Sequence, residues 1–117
     1  MNQDSCINYI ELAVSDIPKA KTFYGEVFNW QFVEYGEDYC AFNDGNTNGG
    51  FYRSPFVSDS SIGAALVVLY ADDLELTVER IENHGGSIKK PIFSFPGGRR
   101  FHFLDPNGNE LAVWSDQ

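Results

Sequence analysis

At 117 residues the chain is long enough for one domain and too short for two independent cores. Its net charge of -9 repels a phosphate backbone or an anionic bilayer, so nucleic acid and membrane are excluded as partners. No apolar run approaches the roughly 20 residues of a membrane span, and the polar start Met1-Asn2-Gln3-Asp4-Ser5 is not a secretory signal. Cys6 and Cys40 lack C-x-x-C spacing and read as reduced thiols of a cytoplasmic protein.

Residues 7–14 alternate as a strand, with Ile10, Leu12 and Val14 on one face and Tyr9, Glu11 and Ala13 on the other. Asp16 reads as a helix N-cap with Pro18 in the first turn. Ala20, Phe23, Tyr24, Val27 and Phe28 then form the apolar stripe of a packed helix. Residues 29–36 and 38–43 predict two antiparallel strands, residues 44–50 a turn cluster and residues 51–53 a short strand. After a polar connector, residues 54–61, the order repeats. A strand is expected over 64–71 and a helix from Asp72-Asp73 with Leu74, Val78 and Ile81 inward. Gly85-Gly86 stops that helix. Strands near 87–93 and 99–104, a turn at 105–109 and a last strand from Glu110 to Trp114 complete the half.

The repeat obeys a fixed shift. Adding 57 carries Leu12 to Leu69 and Asp16 to Asp73; toward the ends of the halves the shift is 61, carrying Phe42 to Phe103 and Asp44 to Asp105. The expected fold is α+β: two βαβββ modules, about 6–53 and 62–115 within a single 1–117 domain. They form an open, curved, mixed sheet, a half-barrel with its helices outside. Residues 83–104 carry Lys89, Lys90, Arg99 and Arg100 with no acid, a basic patch on an acidic chain that could draw a small anion. The competing reading is a solvated hairpin.

The stretch Ile7 to Asp16 running into Ala20–Trp30 resembles the opening of glyoxalase-like proteins. Val67–Gly86 resembles the start of their second half, and Phe103-Leu-Asp-Pro-Asn-Gly-Asn-Glu-Leu111 their closing turn. The chain is thus similar to the vicinal oxygen chelate superfamily of glyoxalase I, bleomycin-resistance proteins and extradiol dioxygenases. That resemblance implies a homodimer. It does not imply one chemistry.

Metal-using members of the family draw ligands from the first and last strands of each half. Transferred by the two shifts, those positions are Tyr9, Phe51, Leu66 and Ala112. Only a phenol among them offers a donor, so no metal is expected, and with no G-x-G-x-x-G, P-loop or nucleophile elbow no other cofactor is expected either. A displaced site using Glu11 and Glu110 is an open alternative. His84 reads as a cap at the end of its helix; His102 lies on a strand beside Arg100, on a side that alternation alone does not decide.

The resulting ligand face is Tyr9, Phe51, Leu66, Val68, Tyr70, Arg100, Glu110, Ala112 and Trp114. It suits a small-molecule ligand, anionic or carbonyl-containing, bound without a metal. Two other functions stay open. One is a lyase or isomerase of the glyoxalase class with Glu11 as general base, provided burial raises its pKa. The other is a non-catalytic accessory module.

Overall fold

The computed structural model describes residues 2–117; Met1, the first residue of the N-terminal segment considered above, lies outside the described residues. The first half runs β1 (Tyr9–Val14), α1 (Ile17–Phe28), β2 (Gln31–Glu34), β3 (Tyr39–Asn43) and β4 (Asn48–Arg53). A 3-10 turn at Ser60–Ile62 sits in the connector. The second half runs β5 (Val67–Tyr70), α2 (Leu74–Asn83), β6 (Ser87–Phe95), β7 (Gly98–Leu104) and β8 (Glu110–Ser115).

The halves copy one another in topology. The strand orders are β1-β4-β3-β2 and β5-β8-β7-β6, with β1–β4 and β5–β8 parallel and the other pairs antiparallel. Each half therefore forms its own four-stranded mixed sheet. The helix starts are copied too. The Asp16 carboxylate accepts from the Lys19 N–H at 3.0 Å, and Asp73 from the Leu76 N–H at 3.0 Å, each satisfying a donor that the first helical turn leaves open. Gly85 ends α2 at φ 95°, a left-handed turn that a Cβ would resist.

Burial follows the stripes. Ala20, Phe23, Tyr24 and Val27 of α1 and Leu74 and Ile81 of α2 pack on Leu12, Val14, Phe42, Phe51, Phe101, Phe103, Leu111 and Val113 in one apolar cluster. Rings of α1 bridge the two sheets. Tyr24 stacks on Phe51 at 5.5 Å between centroids, and Phe23 lies 6.0 Å from Phe103. Each sheet thus spends one face on the helices and leaves the other open, and the open faces hold the candidate site.

Three expectations need correction. The turn before β4 is shorter than predicted, so β4 starts at Asn48 rather than Phe51. Phe51 pairs with Leu12 in the β1–β4 ladder and is fully buried against the helix, so it is a core residue and not part of the ligand face. β5 is also shorter than 64–71, because its ladder with β8 begins only at Val67–Leu111.

Candidate functional site

On the second sheet, alternation puts Val68 and Tyr70 of β5, Ala112 and Trp114 of β8, and Arg100 and His102 of β7 on the open face, in paired rows. Ala112 forms the floor, fully buried between its neighbours. Tyr70 meets Trp114 edge to face at 5.2 Å. Leu66 lies half-buried just ahead of β5.

Strand β6 departs from regular pairing. Lys90 pairs with His102 and Phe93 with Arg100, although Lys90 and Phe93 are an odd number apart, because register shifts flank Lys90. Pro91 lies inside the irregular stretch and has no N–H for the ladder. As a result Lys90 and Phe93 share one side. The Lys90 ammonium sits 5.0 Å from the Phe93 ring centre and the Arg100 guanidinium 5.8 Å from it.

His102 lies on that open face yet is only 9% exposed, enclosed by Arg100, Glu110 and Phe93. Its Nδ1 lies 2.8 Å from Glu110 Oε2, and its Nε2 lies 3.0 Å from Arg100 Nη2. A guanidinium only donates, so Nε2 accepts and the ring proton on Nδ1 is given to Glu110. Glu110 also accepts from the Ser60 N–H at 2.9 Å, the Ser60 hydroxyl at 2.7 Å and Lys89 Nζ at 3.3 Å. Burial pushes the Glu110 carboxyl up, but the donors from His102, Ser60 and Lys89 outweigh it and hold the group down at about 2.

The four cations of the basic patch have different fates. Lys89 bridges Asp59 and Glu110, and Arg99 is paired with Glu75 at 2.6 Å. Among the described residues, Lys90 and Arg100 pair with no carboxylate. Arg100 Nε is buried with no hydrogen-bond partner among the described residues.

The first sheet's open face is different. Tyr9, Glu11, Tyr39 and Tyr52 lie on it. The Tyr39 hydroxyl donates to Glu11 Oε2 at 2.8 Å and is hydrogen-bonded to the Tyr9 hydroxyl. Glu11 is exposed, so the burial that a general-base role requires is absent. Glu11 and Glu110 line different hollows, so a metal site shared between them is not assembled. Among the described residues no three His, Cys, Asp or Glu side chains gather as a metal set.

The corrected register changes the family's ligand positions. Gly50, not Phe51, stands beside Glu11 on the open face. A Cβ there would come within 2.0 Å of the Tyr39 hydroxyl and 2.9 Å of the Tyr9 hydroxyl. The tyrosine pair thus occupies the space a ligand side chain at this position would need. Tyr9, Gly50, Leu66 and Ala112 do not fit a divalent metal.

His84 behaves as a cap, its Nδ1 bonded to the Arg80 carbonyl at 2.7 Å. Among the residues of the site, sequence alternation leaves His102 and Lys90 unoriented and does not mark Phe93, Tyr39 or Tyr52. Pro91 was the one local sign that β6 breaks its alternation.

The strand orders, the paired modules and the open faces are those of one family. The chain belongs to the Glyoxalase/Bleomycin resistance protein/Dioxygenase superfamily, whose model matches residues 6–113. Among curated proteins it is 22% identical over 123 residues to "Putative glyoxylase CFP32" of Mycobacterium tuberculosis. That match covers 92% of this chain and 44% of CFP32, so the chain spans less than half the length of this relative.

Solved structures agree on the fold. A glyoxalase/bleomycin resistance protein/dioxygenase family enzyme from Burkholderia phytofirmans superimposes with a TM-score of 0.78 at 16% identity, over 94% of this chain and 98% of its own. The fosfomycin resistance protein FosX of Listeria monocytogenes gives 0.79 at 18% identity, over 97% and 94%. An integron cassette protein from V. Cholerae gives 0.67 at 23% identity, over 98% of both chains.

Proposed function

We propose that this chain binds a small organic anion on the open face of its second sheet, without a metal. The observation that carries the reading is the pair Lys90 and Arg100. Both flank the Phe93 ring, and neither is neutralised by a carboxylate among the described residues. A guanidinium gives a planar, two-pronged donor set that matches a carboxylate or phosphonate. Phe93 and Trp114 offer flat apolar area for a ligand's carbon skeleton. The Glu110–His102 bond holds the imidazole against Arg100, so the guanidinium is positioned before a ligand arrives.

The test is titration of the purified protein with benzoate and phenylphosphonate, with benzyl alcohol as the neutral control. The anions are expected to bind and the alcohol not to. Arg100→Gln should weaken anion binding by about tenfold or more, the loss of roughly one charge-assisted bond. Equal binding of alcohol and acid would remove the reading. The family resemblance adds a homodimer to the proposal, and the free cysteines Cys6 and Cys40 a cytoplasmic location; light scattering on the purified chain tests the dimer.

A further inference from the structure

The first sheet carries a hollow of opposite character. It is lined by Glu11, Ala13 and Tyr52 from the open face and by Phe56, Val57 and Ala65 from the connector side. Its volume of about 320 Å³ falls at the small end of the range for small-molecule sites. Glu11 is the one charged residue in its lining.

That carboxylate is half used. Tyr39 donates to Oε2, whereas Oε1 accepts from no described residue, and no described cation pairs with Glu11. Beside it stand two exposed rings, Tyr52 at 41% and Phe56 at 77%. A carboxylate next to exposed π-faces attracts a positive charge twice, by Coulomb force and through the ring quadrupoles. One carboxylate supplies too few oxygens for a divalent metal, which takes six to eight in the case of calcium. The cation that fits is therefore organic: a single ammonium carrying short apolar groups that the alanines and Val57 can cover. The surrounding field has the same sign, since residues 1–61 hold nine acids against three bases.

We infer that the Glu11 hollow is a binding site for a small organic ammonium, separate from the anion site on the second sheet. No residue of the Lys90–Arg100 cluster lines this hollow, so either site can exist without the other.

The test compares choline with 3,3-dimethylbutan-1-ol, its neutral isostere, by titration monitored through backbone amide NMR. Choline is expected to shift residues around Glu11, Tyr52 and Phe56 saturably, and the alcohol to bind at least about tenfold more weakly. Glu11→Gln should cost choline a similar factor while leaving benzoate binding unchanged. A Tyr52→Ala, Phe56→Ala double variant, which keeps Glu11, should also lose choline, so the site is tested even if Glu11→Gln fails to fold. Equal binding of choline and its isostere, choline shifts located elsewhere, or undiminished binding by a folded Glu11→Gln would each overturn the inference. Loss of benzoate binding alone would bear on the anion site and not on this one.

Discussion

His102 of β7 and Glu110 of β8 are diagonal neighbours, His102 pairing with Ala112 and Glu110 with Leu104, and their side chains meet at 2.8 Å, Nδ1 to Oε2, with both nearly enclosed. The bond fixes the ring so that its other nitrogen faces Arg100. The carboxylate is also where the connector is tied down, through Ser60 and Lys89.

Glu110 makes stability depend on acid. Its folded pKa of about 2 lies below the ordinary 4.5, because the donors from His102, Ser60 and Lys89 outweigh the upward push of burial. Its contribution is fully present above the ordinary value and lost as pH falls from about 4.5 toward 2. Urea unfolding across that window should show a declining midpoint. Glu110→Gln should flatten that acid limb and cost about 1–3 kcal/mol at pH 7, the penalty for buried partners left unpaired.

Tyr24 and Asp105 tie the first helix to the turn before β8. The buried Tyr24 hydroxyl donates to Asp105 Oδ2 at 2.7 Å. Asp105 is raised by burial, partly offset by Tyr24 and by the Asn107 and Asn109 N–H groups. Tyr24→Phe should destabilise the fold by about 1–3 kcal/mol at pH 7. Losing that donor raises the Asp105 pKa further, and a raised carboxyl is penalised only where it must ionise. The deficit should therefore shrink as pH falls. Chemical denaturation of both proteins at pH 7 and pH 4 checks this; a gap that widens in acid would contradict the assignment.

Gly50 is required by what lies over it. A Cβ at this position meets the Tyr39 hydroxyl at 2.0 Å, so Gly50→Ala must push Tyr39 off Glu11. The atoms met are the tip of a half-exposed ring that can swing aside, so the expected cost is that of the hydrogen bonds it gives up, about 0.5–1.5 kcal/mol. NMR should show the Tyr39 ring resonances displaced. Unchanged tyrosine signals and stability would show that the pair does not fill that space.

Much of this fold is legible in the sequence alone. Asp16 and Asp73 both cap helices, and Leu12 and Leu69 both face the core, as the shift of 57 requires. The shift of 61 failed at one point for a definite reason. The Asp44 N–H closes its turn on the Thr47 carbonyl, three residues on, whereas Asp105 closes on Asn109, four residues on. The first turn is one residue shorter, so beyond it the shift is 62, and Phe51 corresponds to Val113, not Ala112. Because strand side chains alternate, this single residue moved Phe51 from the open face into the core. The side on which His102 lies, and the gathering of Lys90 and Phe93 beside it, depended on pairing partners and on the irregularity around Pro91 in β6. Neither is encoded in local alternation.

The proposed anion site on the second sheet works without a metal. The direct measurement is calorimetric titration of chelator-dialysed protein with benzoate, repeated after adding back nickel, zinc, manganese or iron. The stripped protein should bind benzoate saturably, unchanged by any added metal and weakened about tenfold or more in Arg100→Gln. Binding that appears only once a metal is restored, or that Arg100→Gln leaves intact, would contradict it.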